Sequence, residues 1–574
     1  MIRRLLKQIA GAKGLLILAC LFALIGGGIG ILAPYIMGKA VDSLNNADAL
    51  LKNLGLLLLV YLVSAVMQWW VPLISARVAG QTIKRLRAQL FSKFSRLPVK
   101  FFDVRKHGDI MSILTNDMDS ISDGISQALG QLLTGVITII GTLIMMFLLN
   151  VYAALVMLVI TPLSILIARK IASRAAVMFN AQQTSMGSLS GISEETISGM
   201  GVIKGLSAEK DAIGKFKEEN AQLYRVGQKA QFYSSLVNPS ARIINHIAYI
   251  SVGVLGAVLA VKTGTVTVGV IASMLMYANQ FAKPINEISA VASQIQNALA
   301  GCERVFGLLD EKEEAAEAPD TPVIQVAGGR VELSAVDFSY EPGNPVLKNI
   351  NLEAEPGKLI AIVGPTGCGK TTIINLLMRF YNPDEGKISI DGTDICSVTR
   401  ESLRRSVTMV LQDTWLFSGT IKENIAYGRP DASFEEIEAA AKAAYCHNFI
   451  TRLPEGYDTY IEGNDSQLSQ GQKQLLTIAR AMLEDAPILV LDEATSSVDL
   501  RTEQNIQKAF NSIMKGRTSF VIAHRLSTIR NADKIIVINH GEIAEQGTHR
   551  QLLDKSGLYS SIYMSQFAGG VENE

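Results

Sequence analysis

The chain has 574 residues, too many for a single hydrophobic core, and its length calls for two to four domains. Its 53 Lys and Arg balance 53 Asp and Glu, so the formal net charge is zero and argues against a nucleic-acid partner held by charge. Hydrophobic residues make up 48% of the chain, more than a soluble ATPase needs, and the excess lies in the first half.

In chain order, that first half carries six long apolar runs, at residues 15–37, 54–73, 125–149, 152–168, 243–261 and 266–282. About 20 helical residues at 1.5 Å each cross a hydrocarbon core of about 30 Å, so the runs predict six membrane spans. The first run continues past the length of a signal-peptide core and lacks a cleavage site, so no cleavable leader is expected. Short connections alternate with two long segments, residues 77–124 and 169–242, both rich in Lys and Arg. Basic segments stay on the cytoplasmic side, which they then share with the basic N-terminus (Arg3, Arg4, Lys7, Lys13). Few Pro or Gly interrupt them, so the membrane helices are expected to continue into the cytoplasm and turn back. Cys20, Cys302, Cys368, Cys396 and Cys446 lie far apart without metal-ligand spacing and read as reduced thiols.

From Leu308 the sequence turns charged and Ala/Pro-containing, as in Asp310-Glu311-Lys312-Glu313-Glu314 and Ala318-Pro319-Asp320. The expected organisation is a membrane domain over residues 1–307, a linker over 308–327 and a cytoplasmic domain over 328–574. In the last, strand-like runs at 331–338, 359–363, 388–390, 407–411, 488–491, 518–522 and 534–538 alternate with helical ones. Such alternation predicts an α/β fold.

The run 359–363 leads straight into Gly364-Pro365-Thr366-Gly367-Cys368-Gly369-Lys370-Thr371-Thr372. This is G-x-x-x-x-G-K-[ST] leaving a buried strand and opening a helix, the context that makes the pattern a phosphate loop. Gly364, Gly367 and Gly369 let the backbone turn its N–H groups around a polyphosphate, and the helix aims its positive end at the same anion. Lys370 can reach the β and γ phosphates, and the Thr371 hydroxyl suits one Mg²⁺ position. ATP and Mg²⁺ are therefore the expected cofactors. Further on, residues 488–491 end in Asp492-Glu493, carboxylates at the C-terminal end of a buried strand, where α/β sheets bind ligands. Asp492 suits the organisation of Mg²⁺ and Glu493 the polarisation of an attacking water. Leu468-Ser469-Gln470-Gly471-Gln472 precedes a helical stretch, as an ordinary N-cap or as a second anion site made of N–H groups and a hydroxyl.

These elements, in this order, resemble the ATP-binding cassette (ABC) family, with Gln412, the LSQGQ signature, Ser496-Ser497-Val498-Asp499 and His524 matching its further motifs. The six runs with two long cytoplasmic segments resemble its type IV, exporter-type membrane domain. Phe101-Phe102-Asp103 and Gly108-Asp109-Ile110 through Leu114-Thr115-Asn116-Asp117 resemble the first coupling segment, and Val202-Ile203-Lys204-Gly205 through Glu209 the second. The resemblance implies a half-transporter whose two cassettes face head to tail, each ATP lying between one phosphate loop and the partner's signature. It implies that Tyr340 stacks on adenine, that Gln412 senses Mg²⁺ and water, that His524 holds the γ-phosphate, and that Asp499 communicates across the dimer. It implies ATP-driven export of amphipathic or hydrophobic compounds, with an importer on the same fold or an ATP-gated channel as alternatives. A second half-transporter, membrane lipid and a small amphipathic substrate are the implied partners.

Three departures stand out. Gln470 replaces the commoner Gly of the signature, Asp465 stands where Gly is usual, and Cys368 takes a position often held by Ser. The thiol is expected to react with thiol reagents if its site is open. A complete catalytic set (Lys370, Asp492, Glu493, His524) beside a non-consensus signature resembles the competent subunit of bacterial heterodimeric exporters. A heterodimer is favoured on that ground over a homodimer that tolerates Gln470.

Overall fold

The computed structural model describes residues 1–264, 266–411, 414–463, 468–492, 499–523 and 526–567. They form two compact units, one of residues 1–97 and 105–312, the other of residues 98–104 and 313–574.

The first unit is all helix. Its long members are Lys13–Asp42, Ala47–Phe94, a run from His107 to Leu149 interrupted by two π-helical turns, Val151–Ser198, Glu209–Thr263 and Val268–Leu309. At 1.5 Å per residue a helix of 48 residues is about 70 Å long, twice what the hydrocarbon core requires, so it crosses and projects well beyond. Among the described residues five helices are long and apolar enough to cross a membrane. The predicted sixth run falls in Val268–Leu309, where Asn279, Gln280 and Lys283 dilute its apolar character.

That helix is nonetheless zipped to the first span. At Gly38 an added Cβ would lie 2.4 Å from the Gly269 carbonyl oxygen, and at Gly269 one would lie 2.0 Å from the Gly38 oxygen. Only paired glycines let two membrane helices touch backbone to backbone in this way. Polar groups close the seam: Ser273 Oγ donates to Pro34 O (2.8 Å), Tyr277 Oη to Ile31 O (2.7 Å), and Asp42 accepts from Thr267 Oγ1 (2.6 Å) and Gly269 N (2.8 Å). Asn150 makes the tight turn between two spans by accepting from the Tyr152 and Ala153 amides at the start of Val151–Ser198. Towards the cytoplasmic ends Arg304 grips the buried Asp117 with two hydrogen bonds, of 2.8 and 2.5 Å.

The second unit is α/β. Its larger sheet runs, in spatial order, Glu542–Gly547, Lys534–Asn539, Leu359–Val363, Thr518–Ile522, Ile488–Asp492 and Val407–Val410, parallel except for the first strand. The central strands are buried on both faces, and Leu359–Val363 and residues 488–491 are accordingly unbroken apolar runs, while Thr518–Ile522 buries Thr518 and Ser519 as well. A smaller antiparallel sheet of Pro345–Ala354, Val331–Ser339, Glu385–Ile390 and Thr393–Asp394 packs against one side. The strands at 359–363 and 518–522 coincide with the sequence reading, whereas Pro345–Ala354 and Glu542–Gly547 were not expected. Their polar and apolar residues alternate or mix, and Glu542–Gly547 is a half-exposed edge with no apolar run to mark it.

The charged segment after residue 312 is held down on this unit. Arg400 pairs with Glu314 (3.0 Å) and Glu317 (3.3 Å), Ile324 is buried in the core, and Asp391 accepts from the amides of Ala327, Gly328, Gly329 and Arg330.

Candidate functional site

The three strands Leu359–Val363, Thr518–Ile522 and Ile488–Asp492 are neighbours in register, Ile522 lying opposite both Ile362 and Asp492. Their C-terminal ends therefore deliver the Gly364 loop and the Asp492 carboxylate to one edge of the sheet. Gly367 (φ +82°) and Gly369 (φ +104°) adopt left-handed backbone conformations that a side chain would strain. At Gly369 an added Cβ would also meet Leu347 Cδ2 at 2.7 Å, so the loop is packed from behind and a side chain there is disfavoured. The helix Lys370–Leu377 starts directly from the loop. Lys370 Nζ curls back to donate to the carbonyls of Gly364 (2.8 Å) and Pro365 (2.9 Å), which sets the ammonium over the loop. Thr371 is exposed, with its hydroxyl open for coordination, while Thr372 is buried and accepts a hydrogen bond from Tyr340 Oη (3.2 Å). Loop, ammonium and free hydroxyl fit a magnesium–triphosphate.

Cys368 departs from expectation. It is only 6% exposed, and burial pushes its thiol up despite the nearby Lys370, so the open-site condition for reactivity is not met.

Tyr340 sits in a three-ring cluster, edge-on to Phe338 (4.9 Å) and Tyr381 (5.0 Å), with its hydroxyl also accepting from Asn375 Nδ2 (3.1 Å). The helix Val99–Val104 belongs to the same unit and meets this cluster. Lys100 Nζ donates to Tyr340 O (2.9 Å), and Tyr381 Oη donates to Asp103 Oδ2 (2.6 Å). Sequence reasoning singled out Asp103 and Tyr340 separately but missed Tyr381. Its partner lies 278 residues away, and no local pattern marks such a pair.

The signature residues open the helix Gln470–Glu484. Ser469 is its N-cap in a capping box, accepting from Gln472 N (3.3 Å) while Gln472 Oε1 accepts from Ser469 N (2.9 Å). Leu468 is half-buried and Gly471 buried. Gln470 turns its amide to Thr414 Oγ1 (3.2 Å), two residues beyond Gln412. A second tie joins the same regions. Arg480 donates to the carbonyls of Asn424 (2.9 Å) and Trp415 (3.2 Å) and lies over the stacked rings of Phe417 and Tyr427. Asp499 caps Leu500–Met514 by accepting from Thr502 N (2.9 Å); those backbone and side-chain hydrogen bonds with Thr502 hold its carboxyl below the usual range. Gln412, Asp465, Glu493, Ser496, Ser497, Val498 and His524 lie outside the described residues.

Comparison with known proteins agrees with this architecture. Residues 16–285 match the ABC transporter transmembrane region family and residues 347–496 the ABC transporter family. A fatty acid ABC transporter ATP-binding/permease protein of Mycobacterium tuberculosis is 42% identical, over 97% of this chain and 95% of its own. An ATP-dependent lipid A-core flippase of Syntrophus aciditrophicus is 35% identical, over 98% of this chain and 94% of its own. The solved structure of a bacterial Atm1-family ABC exporter with ATP bound superposes with a TM-score of 0.77 at 30% identity, covering 98% of this chain and 99% of that one.

Proposed function

This chain belongs to the ABC transporter family as an exporter-type half-transporter of the cytoplasmic membrane, and on that premise we propose that it couples ATP hydrolysis to the export of amphipathic or hydrophobic compounds. One observation carries the reading. A glycine loop with Lys370 over it and Thr371 open beside it stands at a sheet edge, in the same chain as helices long enough to cross a bilayer.

In this reading the loop amides of residues 364–372 and Lys370 bind the phosphates, and Tyr340 takes the adenine. Thr371, Gln412 and Asp492 would hold Mg²⁺, which supplies neutralisation of the charge on the phosphoryl group. Glu493 orients and polarises the attacking water, and His524 steadies the γ-phosphate side of the site. Ser469 and Gly471 serve the partner's nucleotide, with Asp499 carrying the state of one site to the other. Closure of the cassettes on ATP moves the coupling segments around 99–104 and 200–205 and reopens the membrane helices outward.

The names of the mycobacterial and Syntrophus relatives, a fatty acid transporter and a lipid A-core flippase, both describe amphiphiles and support a lipid-like cargo. Gln470 in the signature, beside a complete catalytic set, supports a heterodimer with a second half-transporter. The test is reconstitution of the chain, alone and with candidate partners, in sealed vesicles. Mg·ATP-dependent movement away from the nucleotide side, lost in Lys370→Ala, is expected. Movement towards that side overturns export, and full ATPase activity of the isolated chain overturns the heterodimer.

A further inference from the structure

Directly after the helix Val268–Leu309 the chain reads Asp310-Glu311-Lys312-Glu313-Glu314-Ala315-Ala316-Glu317, an acidic run whose composition predicts a solvated linker. Its carboxylates are instead gripped at both ends. At the near end the partners belong to the first unit: Arg4 donates twice to Asp310 (2.5 and 2.8 Å) and lies over the Phe306 ring, and Arg105 pairs with Glu311. At the far end they belong to the second unit, where Arg379, Arg400 and Arg404 surround two carboxylates. Glu314 pairs with Arg400 (3.0 Å) and Arg404 (3.7 Å). Glu317 pairs with Arg400 (3.3 Å) and also accepts from its backbone amide (2.7 Å).

The two clamps are unequal. Arg4 and Asp310 are 51% and 56% exposed, a setting in which an ion pair is weak. Arg379 and Arg400 are 9% and 14% exposed, and withdrawing the carboxylates would leave guanidinium charge buried and uncompensated. Backbone ties add to the far clamp, with Thr399 N donating to Pro322 O (3.0 Å) and Ile324 N to Ser402 Oγ (3.1 Å). The segment is therefore fixed to the second unit, and the near clamp is the one that can let go.

The far clamp also reaches the nucleotide site. Arg404, held by Glu314, donates to the carbonyls of Met378 (3.3 Å) and Arg379 (3.2 Å), at the C-terminal end of the phosphate-loop helix Lys370–Leu377. Arg379 turns the chain there with a left-handed backbone (φ +49°), and its guanidinium donates to the carbonyls of Val398 (2.6 Å) and Cys396 (3.1 Å). Only Lys312 and Glu313 stand between the clamps. Three residue steps from Glu311 to Glu314 reach about 11 Å at full stretch, so the chain carries little slack.

We propose that residues 310–317 are a short strap tying the end of the helix Val268–Leu309 to the end of the phosphate-loop helix, so that nucleotide binding at the loop is felt at residues 298–309 through the chain itself. The inference rests on the export reading for its purpose, but its test reads coupling without transport.

The full chain, assembled as its dimer in nanodiscs, is followed by hydrogen exchange with and without Mg²⁺ and ATPγS. In the parent, ATPγS should change exchange at residues 298–309 by about threefold or more. Six Gly/Ser residues inserted between Lys312 and Glu313 add about 20 Å of reach and touch neither clamp. The insertion should abolish that response while ATPγS affinity and exchange at residues 314–324 stay within about twofold of the parent. Asp310→Asn/Glu311→Gln, which opens the near clamp, should reduce the response in the same way at unchanged affinity. Glu314→Gln/Glu317→Gln should speed exchange at residues 314–324 and 376–380 together by about fivefold or more, because the same arginines hold both. A parent without a response at 298–309, or an inserted chain that responds like the parent, would overturn the strap. So would exchange at 376–380 that ignores the neutralised carboxylates; if that variant fails to fold, the insertion decides alone. Movement of cargo towards the nucleotide side would overturn export and leave these exchange results standing.

Discussion

Replacing Tyr381 with Phe removes one oxygen atom and tests whether the nucleotide side of the second unit grips the helix Val99–Val104. The ring keeps its edge-on contacts with Phe338 (5.6 Å) and Tyr340 (5.0 Å), so packing is preserved and only the 2.6 Å hydrogen bond to Asp103 is lost. A hydrogen bond to a charged group is worth about 1.5–3 kcal/mol when desolvated. Asp103 is exposed and water replaces part of that, so about 1 kcal/mol remains. That is roughly a fivefold shift in the docking equilibrium of the short helix. Hydrogen exchange on the full chain in nanodiscs should show amides 99–104 exchanging about fivefold faster, with those of the phosphate-loop helix unchanged. Asp103→Asn should act similarly, and the double variant should cost less than the sum. Because Lys100 also holds this helix, through Tyr340 O, the segment loosens without detaching. In the export reading, stimulation of ATPase activity by cargo falls while ATP affinity stays within twofold. Unchanged exchange at 99–104 in both single variants would refute the reasoning.

Asp391 is expected to be an acid-sensitive clasp. Burial pushes its carboxyl up, but the four amides of residues 327–330 outweigh this and leave it below the ordinary carboxylate range. Its contribution is full above the unfolded value near 3.9 and disappears as pH falls through the lower folded value. Asp391→Asn, which tolerates the left-handed backbone at this position (φ +48°), should cost about 1 kcal/mol at neutral pH, discounted for exposure, and the difference in melting temperature from the parent should shrink towards zero in strong acid. Cys368 should resist iodoacetamide at pH 7.5 in the native protein and label on denaturation, as followed by mass spectrometry; equal rates in both states would contradict its burial. Gly369→Ala forces a side chain into a left-handed conformation and against Leu347, at about 1–3 kcal/mol. Binding of a fluorescent ATP analogue should weaken at least tenfold, and parent-like affinity would remove the loop's claim to a fixed shape.

Much of this protein was legible in its order of residues because the strongest signals are local. Membrane helices announce themselves as apolar runs, since every backbone group in lipid must be satisfied within its own segment. The phosphate loop is legible because Gly367, Gly369, Lys370 and Thr371 act within one turn of chain. Its flanking strand is a continuous apolar run because it is buried on both faces. The signature was legible as a helix start, and the structure adds the capping box that makes it one.

Other features depend on distance in the chain. That Gly38 touches Gly269, that Asp103 meets Tyr381, and that Gln470 and Arg480 reach Thr414, Trp415 and Asn424 cannot be read from spacing, because each pair is brought together only by packing. The fate of Cys368 is of the same kind: the sequence makes it a thiol beside a lysine, and the core around it makes it unreactive. By itself the sequence determined the class of machine, two domains and a phosphate loop, because period, length and motif are properties of neighbouring residues. Only the tertiary structure decided which side chains hold one another, because burial and pairing are properties of residues far apart.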